Sequence, residues 1–288
     1  MPVGKFAMRH AITLPIAGPC GDVRFVAEMA RVAEDAGWDA VFIEDYIVHH
    51  LAPGQLPVCD PWIALTAMAL ATSRVRLGTG VTPLSRRRPW KVAREMATLD
   101  QLSNGRMILG VGLGDLNDWG FARTGEVTND KDRAELLDEG LDVIAGLWSG
   151  KPFSYKGRHY NISDMTFLPT PVQTPRMPIW VGGTWPHKRP ALRAARWDGY
   201  MGYRVYSDGT QSALAPDDIA AVKKLIESKR TDSTPFDICV GGYPRMDDAA
   251  AYRRQLDDAS AAGATWWNEY VIGAADDIRK RIAGGPPR

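Results

Sequence analysis

The sequence predicts a single (β/α)8 TIM barrel, an α/β fold in which each of eight parallel strands is followed by a helix. Two observations carry this. Short apolar runs alternate with longer amphipathic runs from end to end, and no stretch rich in Pro, Gly or Ser divides the chain. The length of 288 residues suits one barrel domain spanning 1–288. An open doubly wound sheet is the competing arrangement. It would call for a GxGxxG turn after the first strand, and Pro15-Ile-Ala-Gly-Pro-Cys-Gly-Asp22 does not supply one.

The expected strands are Ala11–Ile16, Ala40–Ile43, Val75–Leu77, Met107–Val111, Ile179–Val181, Gly199–Met201, Phe236–Val240 and Trp266–Tyr270. Each is short and mostly apolar, as parallel strands covered on both faces are. Helices fall between them. Val23–Ala36 lies between Asp22, a capping residue, and Gly37, a stop. Pro61–Ala71 starts from Asp60 with Pro at its first position. Pro89–Leu102 ends at Asn104-Gly105, and Asp132–Leu147 at Ser149-Gly150. A helix beginning near Lys188, then Pro216–Lys229, Asp247–Ala262 and Ala275–Ala283, complete the series. Between strands four and five, Lys151–Ile162 reads as a small hairpin insertion turning at Lys156-Gly157. Pro169, Pro171, Pro175 and Pro178 then return the chain to the barrel in an extended path.

Composition narrows the function classes. The formal net charge is +1, from 35 basic and 34 acidic residues, so neither nucleic acid nor an anionic membrane is expected as a partner. Cys20, Cys59 and Cys239 are widely spaced and odd in number. They suggest neither a disulfide framework nor a zinc site, and point to a reducing, cytoplasmic setting. Met1 to Pro15 lacks the apolar core of a signal peptide, and no apolar run approaches the ~18 residues of a membrane span. Only five histidines exist, and no HxH closes the first strand, so no metal site is expected and a metal-dependent hydrolase is disfavoured.

In such barrels the active site lies at the C-terminal ends of the strands. Those ends carry Glu44-Asp45-Tyr46 with His49 and His50, Gly78-Thr79-Gly80-Val81, Gly110-Val-Gly-Leu-Gly-Asp115, Gly182-Gly183-Thr184-Trp185, Gly202-Tyr203-Arg204, Gly241-Gly242-Tyr243 and Asn268-Glu269-Tyr270. Glycine there lets backbone approach a flat ring or a phosphate. Gly182-Gly183-Thr184, just ahead of a helix, reads as a tight turn or as a phosphate cradle of free N–H groups and a hydroxyl. Asp115 reads equally as an acid/base group or as a cap for the segment that follows.

Four stretches resemble the luciferase-like flavin-dependent oxidoreductases: Trp38-Asp-Ala-Val-Phe-Ile-Glu-Asp45, Arg74-Val-Arg-Leu-Gly-Thr-Gly-Val81, Asp100-Gln-Leu-Ser-Asn-Gly-Arg-Met-Ile-Leu-Gly-Val-Gly-Leu-Gly114 and Pro178-Ile-Trp-Val-Gly-Gly183. Their order and spacing match across the chain, and the third is the most specific. The resemblance implies FMN or the deazaflavin F420 as cofactor. It places a non-prolyl cis peptide at Gly80-Val81 after Thr79, a phosphate turn at Gly182, Gly183 and Thr184, Asp45 and Tyr46 at the flavin edge, and Gly112, Gly114 and Asp115 beside the ring. Many members carry His where this chain has Tyr46. A tyrosine, with an ordinary pKa of about 10, donates a hydrogen bond at neutral pH rather than taking a proton. The resemblance therefore stops short of the strand-two histidine chemistry. His49 or His50 would substitute by reaching back, unless both are surface-loop residues. Arg86, Arg87 and Arg88 would either clamp the acidic tail of F420 or lie in a solvated loop.

The expected function is a monooxygenase-type enzyme using reduced FMN on a small organic substrate, served by a separate flavin reductase. The alternatives are an F420-dependent dehydrogenase or reductase that moves a hydride without oxygen, and a barrel that binds flavin without turnover. Tyr203, Arg204, Tyr206, Tyr243, Arg245, Asn268 and Glu269 are expected to select the substrate. Trp185 is expected to wall the pocket and Trp148 to sit in the core. A homodimer through the helices after strands two and three is expected as well.

Overall fold

Eight parallel strands form a ring that returns on itself. They are β1 (Arg9–Leu14), β2 (Ala40–Ile43), β3 (Arg76–Thr79), β4 (Met107–Gly112), β5 (Ile179–Trp185), β6 (Gly199–Val205), β7 (Asp237–Tyr243) and β8 (Trp266–Tyr270). Each pairs in parallel with the next. The ring closes where Arg9 to Thr13 run beside Trp266 to Tyr270, which excludes the open sheet. This computed structural model describes residues 8–49 and 54–287. His50 and residues 1–7 of the stretch read for a signal peptide lie outside the described residues. Among those described, no helix is long and apolar enough to cross a membrane.

The helices are α1 (Val23–Asp35), α2 (Pro61–Ala71), α3 (Pro89–Leu102), α4 (Asp130–Trp148), α5 (Lys188–Ala194), α6 (Pro216–Glu227), α7 (Ala249–Ala262) and α8 (Ala275–Ala283). The expected caps are in place. Asp22 accepts the Arg24 N–H at 2.8 Å, and Asp60 accepts those of Trp62 and Ile63 at 2.9 and 3.0 Å. Helix α4 starts two residues earlier than its pattern suggests, because Asn129 caps it. The insertion is a hairpin of Phe153–Lys156 against Asn161–Met165.

Strand boundaries differ in one systematic way. The first strand was expected at Ala11–Ile16 but ends at Leu14, ahead of Pro15. Strands β5, β6 and β7 each run about four residues further towards the mouth than expected. Glycine signals at Gly182 and Gly202 read locally as turns, yet a neighbouring strand's ladder holds them in the strand; Gly241, at φ +108°, sits where the ladder to β8 shifts register.

The core has two compartments. Strand residues facing outward join the helices in one large cluster. Ala11, Ala40, Phe42, Ile108, Trp180, Cys239 and Trp266 form a separate cluster with no helix residue in it, which is the barrel interior. There Trp180 lies 5.5 Å from Phe42 and 5.3 Å from Trp266 between ring centroids, and small Ala11 and Ala40 make room for these rings. Period-two alternation then sets which residues face inward above this plug: Thr13, Glu44, Gly80, Gly112, Gly182, Thr184, Asn268 and Tyr270.

Candidate active site at the barrel mouth

The mouth has two unlike halves. Over β3, β4 and β5 it is nearly bare of side chains. The peptide between Gly80 and Val81 is cis, as the resemblance implied. A Cβ on Gly112 would stand 2.8 Å from Val81 Cγ2, and one on Gly182 3.0 Å from Val81 Cγ1. Gly80 looks into the interior, where a Cβ would meet Phe42, Thr13 and Met201 at 3.3–3.7 Å. Glycine at these positions leaves half-exposed Val81 as a blunt apolar pad on a cleared floor. A planar ring can lie on such a floor, and a side chain at either flank would lift it.

Over β8, β1 and β2 the mouth is polar. Asn268 and Thr13 exchange hydrogen bonds at 2.8 and 3.1 Å. Above them the Tyr270 hydroxyl donates to Glu44 Oε2 at 3.1 Å. Tyr46 accepts the Ile16 N–H at 3.3 Å, and its hydroxyl lies near enough to Glu44 to pull that carboxyl down. Burial pushes the Glu44 carboxyl up to about 7, against the pull of both tyrosine hydrogen bonds. Burial, then the nearby Glu44 charge, raises the Tyr46 and Tyr270 hydroxyls well above the usual range, so both remain donors.

The structure places the other expected site residues as follows. Asp45 does not face the mouth. Its carboxylate is fully enclosed, held by Arg87 through two hydrogen bonds (3.0 and 2.7 Å) and by Arg86 at 3.1 Å. Arg86 also pairs with Asp118 and donates to the Asp45 carbonyl. The arginine loop is thus spent on this buried cluster, and Arg88 alone of the three is exposed. Thr79 is buried with its hydroxyl on the Gly110 carbonyl at 2.7 Å, so it shapes β3 against β4 and does not reach the mouth. Gly114, at φ +82°, is a turn glycine under Phe121, with its carbonyl taken by Arg133. Asp115 is exposed and caps its own turn through the Asn117 N–H at 2.9 Å. It still lies close enough to Tyr203 to raise that hydroxyl, after burial as the larger cause.

Gly182, Gly183 and Thr184 are strand, not turn, and pair along β6 as far as Trp185 opposite Arg204. The tight turn expected there is therefore corrected to strand; pairing on the other edge stops at Val181, opposite Val111. Gly183 is needed because a Cβ would sit 2.1 Å from Pro190 of α5. His49 is half-buried rather than a surface residue: its ring lies 6.2 Å from that of Tyr46, and its Nδ1 has no partner among the described residues. Trp148 is core, with its indole N–H on the Ala93 carbonyl, and Trp185 packs against the outer cluster. Arg245 and Glu269, expected to select substrate, instead pair with each other on the outer face of β8 (2.6 Å), where the Gly285 carbonyl also takes Arg245.

Two residues of the polar half, Glu44 and Tyr270, were legible only as strand-end positions. The signal was alternation: Ala40, Phe42, Glu44 and Trp266, Asn268, Tyr270 each run along one inward face.

The profile of a family described as luciferase-like monooxygenase matches residues 1–283. The chain is 35% identical over 162 residues to an F420-dependent glucose-6-phosphate dehydrogenase of Microbacterium testaceum (strain StLB037), covering 54% of this chain and 45% of that protein. It is 35% identical over 184 residues to an F420-dependent hydroxymycolic acid dehydrogenase of Mycobacterium tuberculosis (strain ATCC 25618 / H37Rv), covering 62% of this chain and 48% of that one. The matched stretches thus span about half the length of these relatives. A crystal structure of a monooxygenase from Streptomyces bottropensis superposes with a TM-score of 0.74 at 22% identity, over 96% of each chain. That likeness speaks for the fold.

Proposed function

The chain belongs to the luciferase-like monooxygenase family, whose members matched here are oxidoreductases, and within it we propose an F420-dependent enzyme that moves a hydride between the deazaflavin and a small organic substrate. The observation that carries a flavin-type cofactor is the floor cleared by Gly112 and Gly182 around Val81. The choice of F420 rests on the two dehydrogenases at 35% identity, both F420-dependent. The FMN monooxygenase expected from the sequence is the weaker reading, since the solved monooxygenases it resembles, one of them in complex with FMN, are fold neighbours at 22% and 16% identity.

Bound F420 would supply a two-electron acceptor or donor; the rest of the chemistry falls to the chain. Gly80, Val81, Gly112 and Gly182 would seat the ring. Thr184, facing inward at the end of β5, would offer its hydroxyl to the cofactor's side chain. Tyr46, Glu44 and Tyr270 would meet the substrate's polar end. Asp45 acts from behind, holding the loop that carries Arg86 and Arg87 against the end of β2.

Equilibrium titration of the purified protein with F420 and with FMN, followed by fluorescence under anaerobic conditions, tests this. Saturable F420 binding with far weaker FMN binding is expected. The reverse order would restore the monooxygenase reading, and binding of neither would remove the cofactor hypothesis.

A further inference from the structure

We propose that Glu44 exchanges the substrate's proton when a carbon bearing a hydroxyl gives up its hydride. Tyr46 and Tyr270 are its positioning residues. The proposal rests on the F420 reading and adds to it the acid/base group.

The argument is geometric. Glu44 follows Ile43, whose carbonyl accepts the Gly80 N–H at 2.8 Å, so Glu44 leaves β2 one residue past the point where that strand meets the Gly80-Val81 pad. Its side chain continues the inward row of Ala40 and Phe42. Two phenols address it. Tyr270 donates to Oε2 at 3.1 Å, and Tyr46, whose oxygen already accepts the Ile16 N–H, has its own proton free to donate. A carboxylate has room for about four hydrogen bonds, so two tyrosines orient it and leave capacity for a substrate hydroxyl.

Its neighbour Asp45 cannot do this work, because Arg86 and Arg87 occupy both its oxygens. Among the described residues no arginine, lysine or histidine forms an ion pair with Glu44. The titratable groups facing it are Tyr46, Tyr270 and the Cys20 thiol, itself pushed up to about 12 by burial, by Cys59 and by Glu44. None of these is charged at neutral pH. Glu44 is therefore a carboxyl on the edge of ionisation, about 7, which suits proton exchange in both directions.

The step balances with the deazaflavin as oxidant. The carbinol C–H bond breaks and its electron pair leaves as hydride to the deazaflavin. The O–H bond breaks, its proton passes to a Glu44 oxygen, and the oxygen's electron pair completes the C=O bond. The substrate loses two electrons and two hydrogens, and the carboxylic acid of Glu44 then returns its proton to water. Oxidation needs the carboxylate, so its rate rises with pH through about 7. The reverse reaction needs the acid and falls over the same range.

The test uses full-length protein with F420, and 2-propanol and cyclohexanol as probes. E44Q is expected to keep the wild-type F420 affinity but lose turnover by roughly 100-fold or more. E44D is expected to recover part of it. In cofactor-free protein, infrared difference spectra should show a carboxylic-acid band that titrates near pH 7 and is missing from E44Q. Turnover by E44Q at the wild-type rate, or a wild type without that band, overturns the role of Glu44 and leaves the F420 reading intact. A wild type that binds F420 but reduces it with neither alcohol overturns Glu44 as the group that takes an alcohol's proton. A wild type that does not bind F420 overturns the reading itself, and this inference with it.

Discussion

Glu44 and Asp45 are adjacent carboxyls with opposite fates, because successive side chains at a strand end point to opposite faces. Glu44 points into the mouth and meets two phenols; Asp45 points outward and meets two guanidinium groups. The sequence marks both as strand-end residues. It could not assign them, because the partners of Asp45 lie some forty residues on, in a loop that only the closed barrel brings near. Removing one side of a buried ion pair strands the other charge and costs roughly 3–5 kcal/mol. D45A should therefore lower stability by that order, read from the denaturant midpoint, whereas a loss under 1 kcal/mol would mean that Arg86 and Arg87 are repaired by Asp118 and water. The glycine floor makes a complementary prediction. In G112A the new methyl would stand 2.8 Å from Val81 Cγ2 and push the isopropyl group up into the ring's place. F420 affinity should fall at least ~10-fold, about 1.4 kcal/mol, with little change in melting temperature. Unchanged affinity would place the ring elsewhere.

The elements show where local signals mislead. Periodicity and caps located every barrel strand and helix, since those signals lie within the element itself. Strand β5 was truncated at Val181 because Gly182-Gly183 looks like a turn, and it runs on because β6 supplies a ladder out to Arg204. The hairpin was legible from its turn, but its docking was not. Glu139 of α4 accepts the backbone N–H groups of Arg158, His159 and Tyr160 at 2.8, 2.9 and 3.0 Å, seating the hairpin's turn on the helix. Burial alone would raise this carboxyl; the three donors outweigh it and hold it below its ordinary value. A carboxyl depressed in the folded state contributes stability above its unfolded pKa and loses it as pH falls through the folded one. E139A should thus raise hydrogen exchange at residues 158–160 at neutral pH, at a cost of about 1–3 kcal/mol for the amides left without their acceptor. The difference from wild type should shrink below pH 4. Equal exchange in both proteins at neutral pH would show that the turn is held by something else.

At the scale of the whole molecule, one element is out of keeping with a lone barrel. Helix α2, Pro-Trp-Ile-Ala-Leu-Thr-Ala-Met-Ala-Leu-Ala, carries no charge on any face. A helix apolar all round is normally buried all round. Its inner face is covered, through Trp62, Leu65 and Met68, but Ile63 and Leu70 stand 61% and 70% exposed on the outer face, with Thr66 and Ala67 between them. The near-zero net charge puts little repulsion in the way of self-association. A second copy of the chain is the occupant that a charge-free, self-complementary strip favours, since a two-fold axis through it sets apolar against apolar. The expected state in solution is a homodimer through α2. Light scattering after size exclusion should give twice the mass of 31.7 kDa. L70E would place a carboxylate against its own image across the axis and should return the protein to monomer, with F420 binding retained because the mouth faces away from the ring of helices. A wild type that elutes as a monomer at micromolar concentration would leave the apolar strip to some other partner and remove the dimer.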